Sequence, residues 1–260
     1  MGNIKIVFFD VDGTLLKFQT TQLSEKTVET LHRLQANGIK ICVATGRPPV
    51  ALPKFKEVDF DAFLTFNGSY CYTREGDVIF NNPISKEDVN IILRNAKHLG
   101  KPVSIAVKSR MTSNGTSEDL EQYYTFASQK LEISDDFYDL VENDEVYQLI
   151  LACREAEYAD ILKDVTGAKI TGWWEKAIDI IPADGGKGRG IEKILEYYGF
   201  DKTEAMAFGD GGNDIEMLQT VGTGVAMGNA SDKVKAIADD VCGDVADDGV
   251  YHYCVAHGLI

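Results

Sequence analysis

Residues Ile4-Lys5-Ile6-Val7-Phe8-Phe9-Asp10-Val11-Asp12-Gly13-Thr14-Leu15 decide the fold. The run from Ile4 to Phe9 is apolar at almost every position, which suits a strand covered on both faces, as in a parallel sheet. It stops abruptly at two carboxylates, so the strand ends on a polar rim. Outward from this stretch, Ser24 is placed to cap a helix with Val28, Leu31 and Leu34 on one face and Gly38 at its end. The runs 39–44 and 62–66 read as the next two strands. Strand, helix and strand of these lengths form a right-handed βαβ unit.

The rhythm changes after Asn82. Ser85 and Asp88 resemble a capping box opening a helix through Leu99. A strand-like run 102–107, a polar acidic stretch from Ser117 to Glu145 and a strand over 146–151 come next. A helix over 155–165 and a hairpin over 169–181 complete the block. From Gly185 the parallel rhythm returns, with a helix over 187–198 ended by Gly199, a strand at 205–208, a helix after Asn213 and a strand at 224–226. The expected fold class is α/β: a Rossmann-like, doubly wound parallel sheet core made of residues 1–82 and 185–260, with an inserted α+β cap domain of residues 83–184.

The 260 residues carry 26 basic and 41 acidic side chains, a net charge of −15, with 44% hydrophobic content. That composition is ordinary for a globular protein. The negative surplus disfavours nucleic acid or an anionic membrane surface as a partner. Five cysteines, Cys42, Cys71, Cys153, Cys242 and Cys254, are odd in number and lack a C-x-x-C pair, so they read as core residues of a cytoplasmic protein. The N-terminal run is too short and too soon charged for a signal peptide, and no apolar stretch reaches the ~20 residues of a membrane helix.

Four loops carry the chemistry. In Asp10-Val11-Asp12-Gly13-Thr14, paired carboxylates at a strand end are costly unless a cation neutralises them; a solvated turn is the alternative at this point. The loop is not an EF-hand, because Leu15 and Thr21 stand where Gly and Glu are required. Thr45-Gly46-Arg47-Pro48 combines a hydroxyl, a bare backbone and a guanidinium, a set suited to an oxyanion. Gly185-Gly186-Lys187-Gly188 opens a helix, but Ile181 and Gly188 break the Walker A pattern. Gly209-Asp210-Gly211-Gly212-Asn213-Asp214 offers oxygen ligands for a hard cation, or a helix cap at Asn213 or Asp214. Loops at the carboxyl ends of parallel strands gather on one rim.

Taken in this order, the four loops resemble motifs one to four of the haloacid dehalogenase superfamily. The insert resembles the cap of its Cof-type subclass IIB sugar-phosphate phosphatases. Asn67-Gly68, the segment from Ala226 to Ala230 and Asp248-Gly249-Val250 are similar to that subclass as well. The resemblance implies a phosphoric monoester hydrolase. In it Asp10 is the nucleophile that becomes an aspartyl-phosphate, and Asp12 is the acid and base. Mg2+ is then held by the Asp10 carboxylate, the Asp12 backbone carbonyl and Asp210, with Asn213 and Asp214 orienting that shell and Asp214 a further candidate ligand. Thr45 and Lys187 grip the phosphoryl oxygens, with the backbone of Gly13 and Gly46 close by. Arg47 either reaches the substrate or pairs with a neighbouring carboxylate. Asn67 either meets the substrate or caps a turn.

In the insert, Trp173, Trp174 and Asp179 are candidates for substrate discrimination, against the plainer expectation of one packed and one partly exposed tryptophan. His32, His98, His252 and His257 show no ligand spacing. The expected substrate is a small phosphorylated metabolite, foremost a hexose phosphate. A phosphosugar mutase or phosphotransferase of the same fold is the alternative, and a non-catalytic phosphometabolite-binding protein a further one. A monomer is expected, with dimerisation through the insert left open. Residues 1–82 are neutral overall, the insert carries −8 and residues 185–260 carry −7. Four core acids, Asp10, Asp12, Asp210 and Asp214, sit in the expected metal site, so anion capture is expected to depend on Mg2+.

Overall fold

The structure, a computed structural model, describes residues 3–18, 20–126 and 129–260. The first part of the chain runs β1 (Ile6–Phe9), α1 (Glu25–Ala36), β2 (Lys40–Ala44), β3 (Ala62–Thr65), β4 (Tyr70–Thr73) and β5 (Val78–Asn81). The middle runs α2 (Lys86–His98), β6 (Ser104–Ala106), β7 (Met111–Ser113), α3 (Glu118–Phe126), α4 (Phe137–Asn143), β8 (Gln148–Ala152), α5 (Tyr158–Ile161), β9 (Ala168–Trp174) and β10 (Ala177–Pro182). The last part adds α6 (Lys187–Tyr198), β11 (Ala205–Gly209), α7 (Ile215–Thr220), β12 (Thr223–Ala226), α8 (Asp232–Lys235), β13 (Asp240–Val241) and α9 (Gly249–Ala256).

Two sheets result. Eight strands in the order β13-β12-β11-β1-β2-β3-β4-β5 form the first, parallel from β13 to β3. The unbroken apolar run of β1 has its physical reason here. Val7 and Phe9 pack with Leu31, Leu34, Val250 and Tyr253 of α1 and α9, while Ile6 and Phe8 pack with Ile191, Ile194, Met217 and Leu218 of α6 and α7. Both faces of the strand are therefore buried. The hairpin β4–β5 joins antiparallel at the edge. Sequence patterning does not separate this hairpin from the loops around it: β4 alternates half-buried and buried positions, and β5 is apolar at Val78, Ile79 and Phe80 but has no fully buried residue.

The second sheet, in the order β7-β6-β8-β10-β9, is antiparallel throughout. Ile105, Leu149, Leu151, Ile178 and Ile180 bury one of its faces against α2, α4 and α5. Because side chains alternate along a strand, Gln148, Ile150 and Asp179 lie on the other face, toward the first sheet. The polar acidic stretch from Ser117 to Glu145 contains two helices. Its described residues form α3, which buries Leu120 and Tyr124, and α4, which buries Phe137 and Val141; residues 127–128 lie outside the described part. The helix expected over 155–165 is shorter, a 3-10 turn followed by α5, and Asp164 then turns left-handed at φ 63°. Ser24 and Ser85 cap α1 and α2 by accepting the amides of Thr27 and Asp88. No described helix is long and apolar enough to cross a membrane.

Candidate active site

Strands β11, β1 and β2 are neighbours, and chain order reverses at β1, the place where open α/β sheets hold ligands. Phe9 stands in register with Phe208 and Val43, so the residues that follow these strands, including Asp10, Thr45 and Asp210, meet on one rim. Lys187 reaches this rim by a different route. The loop before it follows β10 of the antiparallel sheet, not a strand of the parallel one, and Lys187 is the first residue of α6.

The centre is a buried ion cluster. Lys187 Nζ lies 2.6 Å from Asp10 Oδ1 and 2.6 Å from Asp214 Oδ1, with its side chain fully buried. Burial alone would depress the lysine, but the two carboxylates outweigh it and hold it above its ordinary value. Asp214 Oδ2 accepts the amides of Asp210 (2.9 Å) and Gly211 (2.8 Å), which shapes the loop. Asp10 and Asp210 are both pushed above the carboxylate range. Burial is the main cause, reinforced at Asp10 by Asp214 and at Asp210 by Asp10 and Asp214.

Oxygen atoms of Asp10, Asp210 and Asp214 lie within 4.8 Å of one another, a group that could hold a metal ion. Two of the three, Asp10 and Asp210, resist ionising, and such a donor set is one that a hard divalent cation would relieve. Asp12 stands apart from that group. Its carboxylate takes two hydrogen bonds from Arg47, Nε to Oδ2 and Nη2 to Oδ1, each 2.7 Å, and Arg47 also donates to the Ala51 carbonyl. Of the two roles open to Arg47, the structure realises the carboxylate pair.

Glycine at position 13 has a steric reason. Its φ is +88°, and a Cβ there would lie 2.3 Å from Asp210 Oδ2. The Gly13 amide donates to the Leu16 carbonyl, so the residue makes room for Asp210 and its N–H is already engaged within the chain. Thr45 and Gly46 line the cavity, and a Cβ at Gly46 would press on the Asn67 amide at 3.1 Å. Asn67, in a left-handed conformation (φ 52°), bridges the two sheets. Its Nδ2 reaches Asp179 Oδ2 (3.2 Å) and Gln148 Oε1 (3.4 Å), and its Oδ1 accepts from Asn213 Nδ2 (2.9 Å).

Several of these groups border a cavity of about 280 Å3 between the sheets. Asp10, Asp12, Asp210, Asn213 and Asp214 border it on the side of the parallel sheet, and Tyr123, Phe126, Trp173 and Asp179 on the other. Trp173 packs against Tyr123 and Phe126, and both tryptophans are partly exposed, unlike the one-packed arrangement expected. Lys187 does not border the cavity; its ammonium compensates the carboxylates from behind.

Sequence reasoning did not single out Asn229, Thr14, Gln148 or Tyr123. Asn229 Nδ2 donates to the Gly13 carbonyl (2.8 Å) and Asp210 Oδ2 (3.2 Å), while Thr14 donates to Asp210 Oδ1. Both lie inside segments already read as motifs, Asp10 to Thr14 and Ala226 to Ala230, although neither was given a role of its own. Gln148 and Tyr123 come from the insert, where no local pattern marks them.

Fold and site define a hydrolase built to handle phosphoryl groups at a carboxylate. The chain belongs to the haloacid dehalogenase-like hydrolases, whose family pattern it matches over residues 7–254, and it is a phosphatase of the Cof-type subclass IIB. It is similar to YkrA of Bacillus subtilis, 33% identical over 262 residues that cover 98% of each chain. It also resembles YitU of Bacillus subtilis, a 5-amino-6-(5-phospho-D-ribitylamino)uracil phosphatase, at 31% identity over 95% of each. Among solved structures it superposes on the subclass IIB sugar phosphatase BT4131 with a TM-score of 0.89 and 32% identity, covering 98% of this chain and all of that one.

Proposed function

We propose that this phosphatase is Mg2+-dependent, acts on small phosphorylated metabolites, sugar phosphates foremost, and works in the cytoplasm. The observation that carries the reading is the Asp10 carboxylate bordering the cavity, held by Lys187 and crowded by Asp210 and Asp214. Asp10 attacks phosphorus, the bond to the leaving oxygen breaks, and an aspartyl-phosphate forms. Asp12 protonates the leaving oxygen and then takes a proton from the water that hydrolyses the acyl phosphate. Arg47 holds Asp12 in place through its two-point pair.

Mg2+, with Asp10, the Asp12 carbonyl and Asp210 as ligands, would supply the charge that draws a phosphate into an acidic cleft. Asp214 fixes the loop that bears Asp210 and can add a ligand, while Asn213 orients the loop from Asn67. Thr45 offers a hydroxyl to the phosphoryl oxygens. Residues 83–184 serve as a cap over a core of residues 1–82 and 185–260, a division supported by their separate sheets and hydrophobic clusters. The aromatic wall and Asp179 suit the faces and hydroxyls of a sugar, and the five free thiols suit a reducing compartment.

The test is release of inorganic phosphate from a panel of pure sugar phosphates, with Mg2+ and with chelator, by the wild type and by Asp10→Asn. Turnover that needs Mg2+ and vanishes in the variant is expected. Absence of release across the panel, or full activity in Asp10→Asn, would sink the reading.

A further inference from the structure

The insert presents charge of a single sign to the cavity. Its described lining includes Tyr123, Phe126, Gln148, Trp173 and Asp179, and contains no Lys, Arg or His. On the opposite side the guanidinium of Arg47 is paired with Asp12, and the ammonium of Lys187 lies between Asp10 and Asp214. We infer that the site admits phosphate monoesters whose leaving group is neutral or cationic and rejects those whose leaving group carries a second anion, with Asp179 as the specificity-determining residue. The inference rests on the proposed function above.

Asp179 owes its place to strand alternation. Ile178 and Ile180 point into the core of the insert, and the carboxylate between them emerges on the cavity face of β10 with 1% of its surface exposed. Both of its hydrogen-bond partners are neutral, and the one cation acting on it, Lys187, does so from the core and without a hydrogen bond. Tyr123 donates to Oδ1 at 2.7 Å and Asn67 to Oδ2 at 3.2 Å. Burial raises its pKa to about 6, which still leaves it ionised at pH 7.5.

A carboxylate offers about four acceptor sites, so two donors leave room for a hydroxyl or ammonium of the leaving group. The faces of Trp173 and Tyr123 suit an apolar ring face or a cation. A carboxylate or second phosphate in the same place would be desolvated beside Asp179 with no cation from the insert to pair with. The cavity, about 280 Å3, falls at the small end of ligand pockets, which favours a leaving group of one ring or a short polyol.

The test compares kcat/KM at pH 7.5 with saturating Mg2+ for matched probes. Glucitol 6-phosphate and 6-phosphogluconate differ only in CH2OH against carboxylate, and glucose 6-phosphate and glucosamine 6-phosphate in hydroxyl against amine. For the wild type, 6-phosphogluconate should be poorer than glucitol 6-phosphate by roughly 10- to 100-fold, the size of one like-charge contact in a partly desolvated site. Glucosamine 6-phosphate should match or exceed glucose 6-phosphate. In Asp179→Asn, shown folded by its circular dichroism, the penalty on 6-phosphogluconate should shrink at least severalfold.

Equal rates for the first pair in the wild type overturn the filter and leave the phosphatase reading standing. An unchanged ratio in the folded variant removes Asp179 from the role. No phosphate from any probe overturns both readings. The wild-type comparison decides the filter even where the variant does not fold.

Discussion

Replacing Lys187 with methionine keeps the length and removes the charge at the most buried ionic contact of the site. Lys187 Nζ makes two hydrogen bonds of 2.6 Å, to Asp10 Oδ1 and Asp214 Oδ1. Charge-assisted bonds of this kind are worth about 1.5–3 kcal/mol each, and removing one partner of a buried pair costs about 3–5 kcal/mol. Asp10 already stands above the carboxylate range with the lysine present, so after its loss the carboxylate takes up a proton and the cost settles near the lower end, about 3 kcal/mol. For a chain of this size about 2–4 °C is lost per kcal/mol, so the melting temperature in metal-free buffer should fall by roughly 6–12 °C.

The sign with pH follows from the raised value of Lys187. The lysine's contribution is complete below its unfolded pKa and is lost only at strongly alkaline pH, so the ammonium itself stays charged throughout neutral conditions. Calorimetric scans with chelator measure the difference. Adding Asp10→Asn to Lys187→Met should recover part of the loss, because one of the two orphaned carboxylates disappears. A Lys187→Met melting temperature within 2 °C of wild type would refute the argument, since it would mean that the buried carboxylates do not need the ammonium.

Three further outcomes are expected. Gly13→Ala places a Cβ 2.3 Å from Asp210 Oδ2 and forces a left-handed alanine, so Mg2+ affinity measured by calorimetry should fall by roughly 10-fold or more. Arg47→Lys cannot keep the two-point pair with Asp12, and losing one charge-assisted bond predicts roughly a 10- to 100-fold drop in kcat, measurable in single-turnover kinetics. Asp179 has its pKa raised to about 6 by burial, so the folded state pays for its charge above that pH. Relative to Asp179→Asn, the wild type should therefore gain stability as pH falls from 7 toward 4, by roughly 3 kcal/mol at most, in denaturant titrations at each pH.

Local pattern carried the central strands because their chemistry is local. An apolar run such as Ile6 to Phe9 is legible wherever both faces of a strand are buried, and a turn such as Asp10-Val11-Asp12-Gly13 announces itself by the cost of its charges. The same reasoning misses the hairpin of β4 and β5, where only β5 is at the edge and no stretch of consecutive residues is buried on both faces. It shortens poorly, too, at α5, where Asp164 adopts a left-handed turn that no residue preference demanded.

By itself the sequence determined the α/β core, the presence of an insert and which acids, lysine and threonine stand in strand-end loops, since those depend on spacing along the chain. Tertiary structure alone decided what each polar group touches. Arg47 could have faced substrate, yet a residue 35 positions earlier captures it. Asn67 could have capped a turn, yet it spans the sheets to Asp179, 112 positions away, and Asp179 in turn meets Tyr123, 56 positions earlier. Hydrogen bonds act over about 3 Å, and folding, not sequence separation, sets which groups come that close.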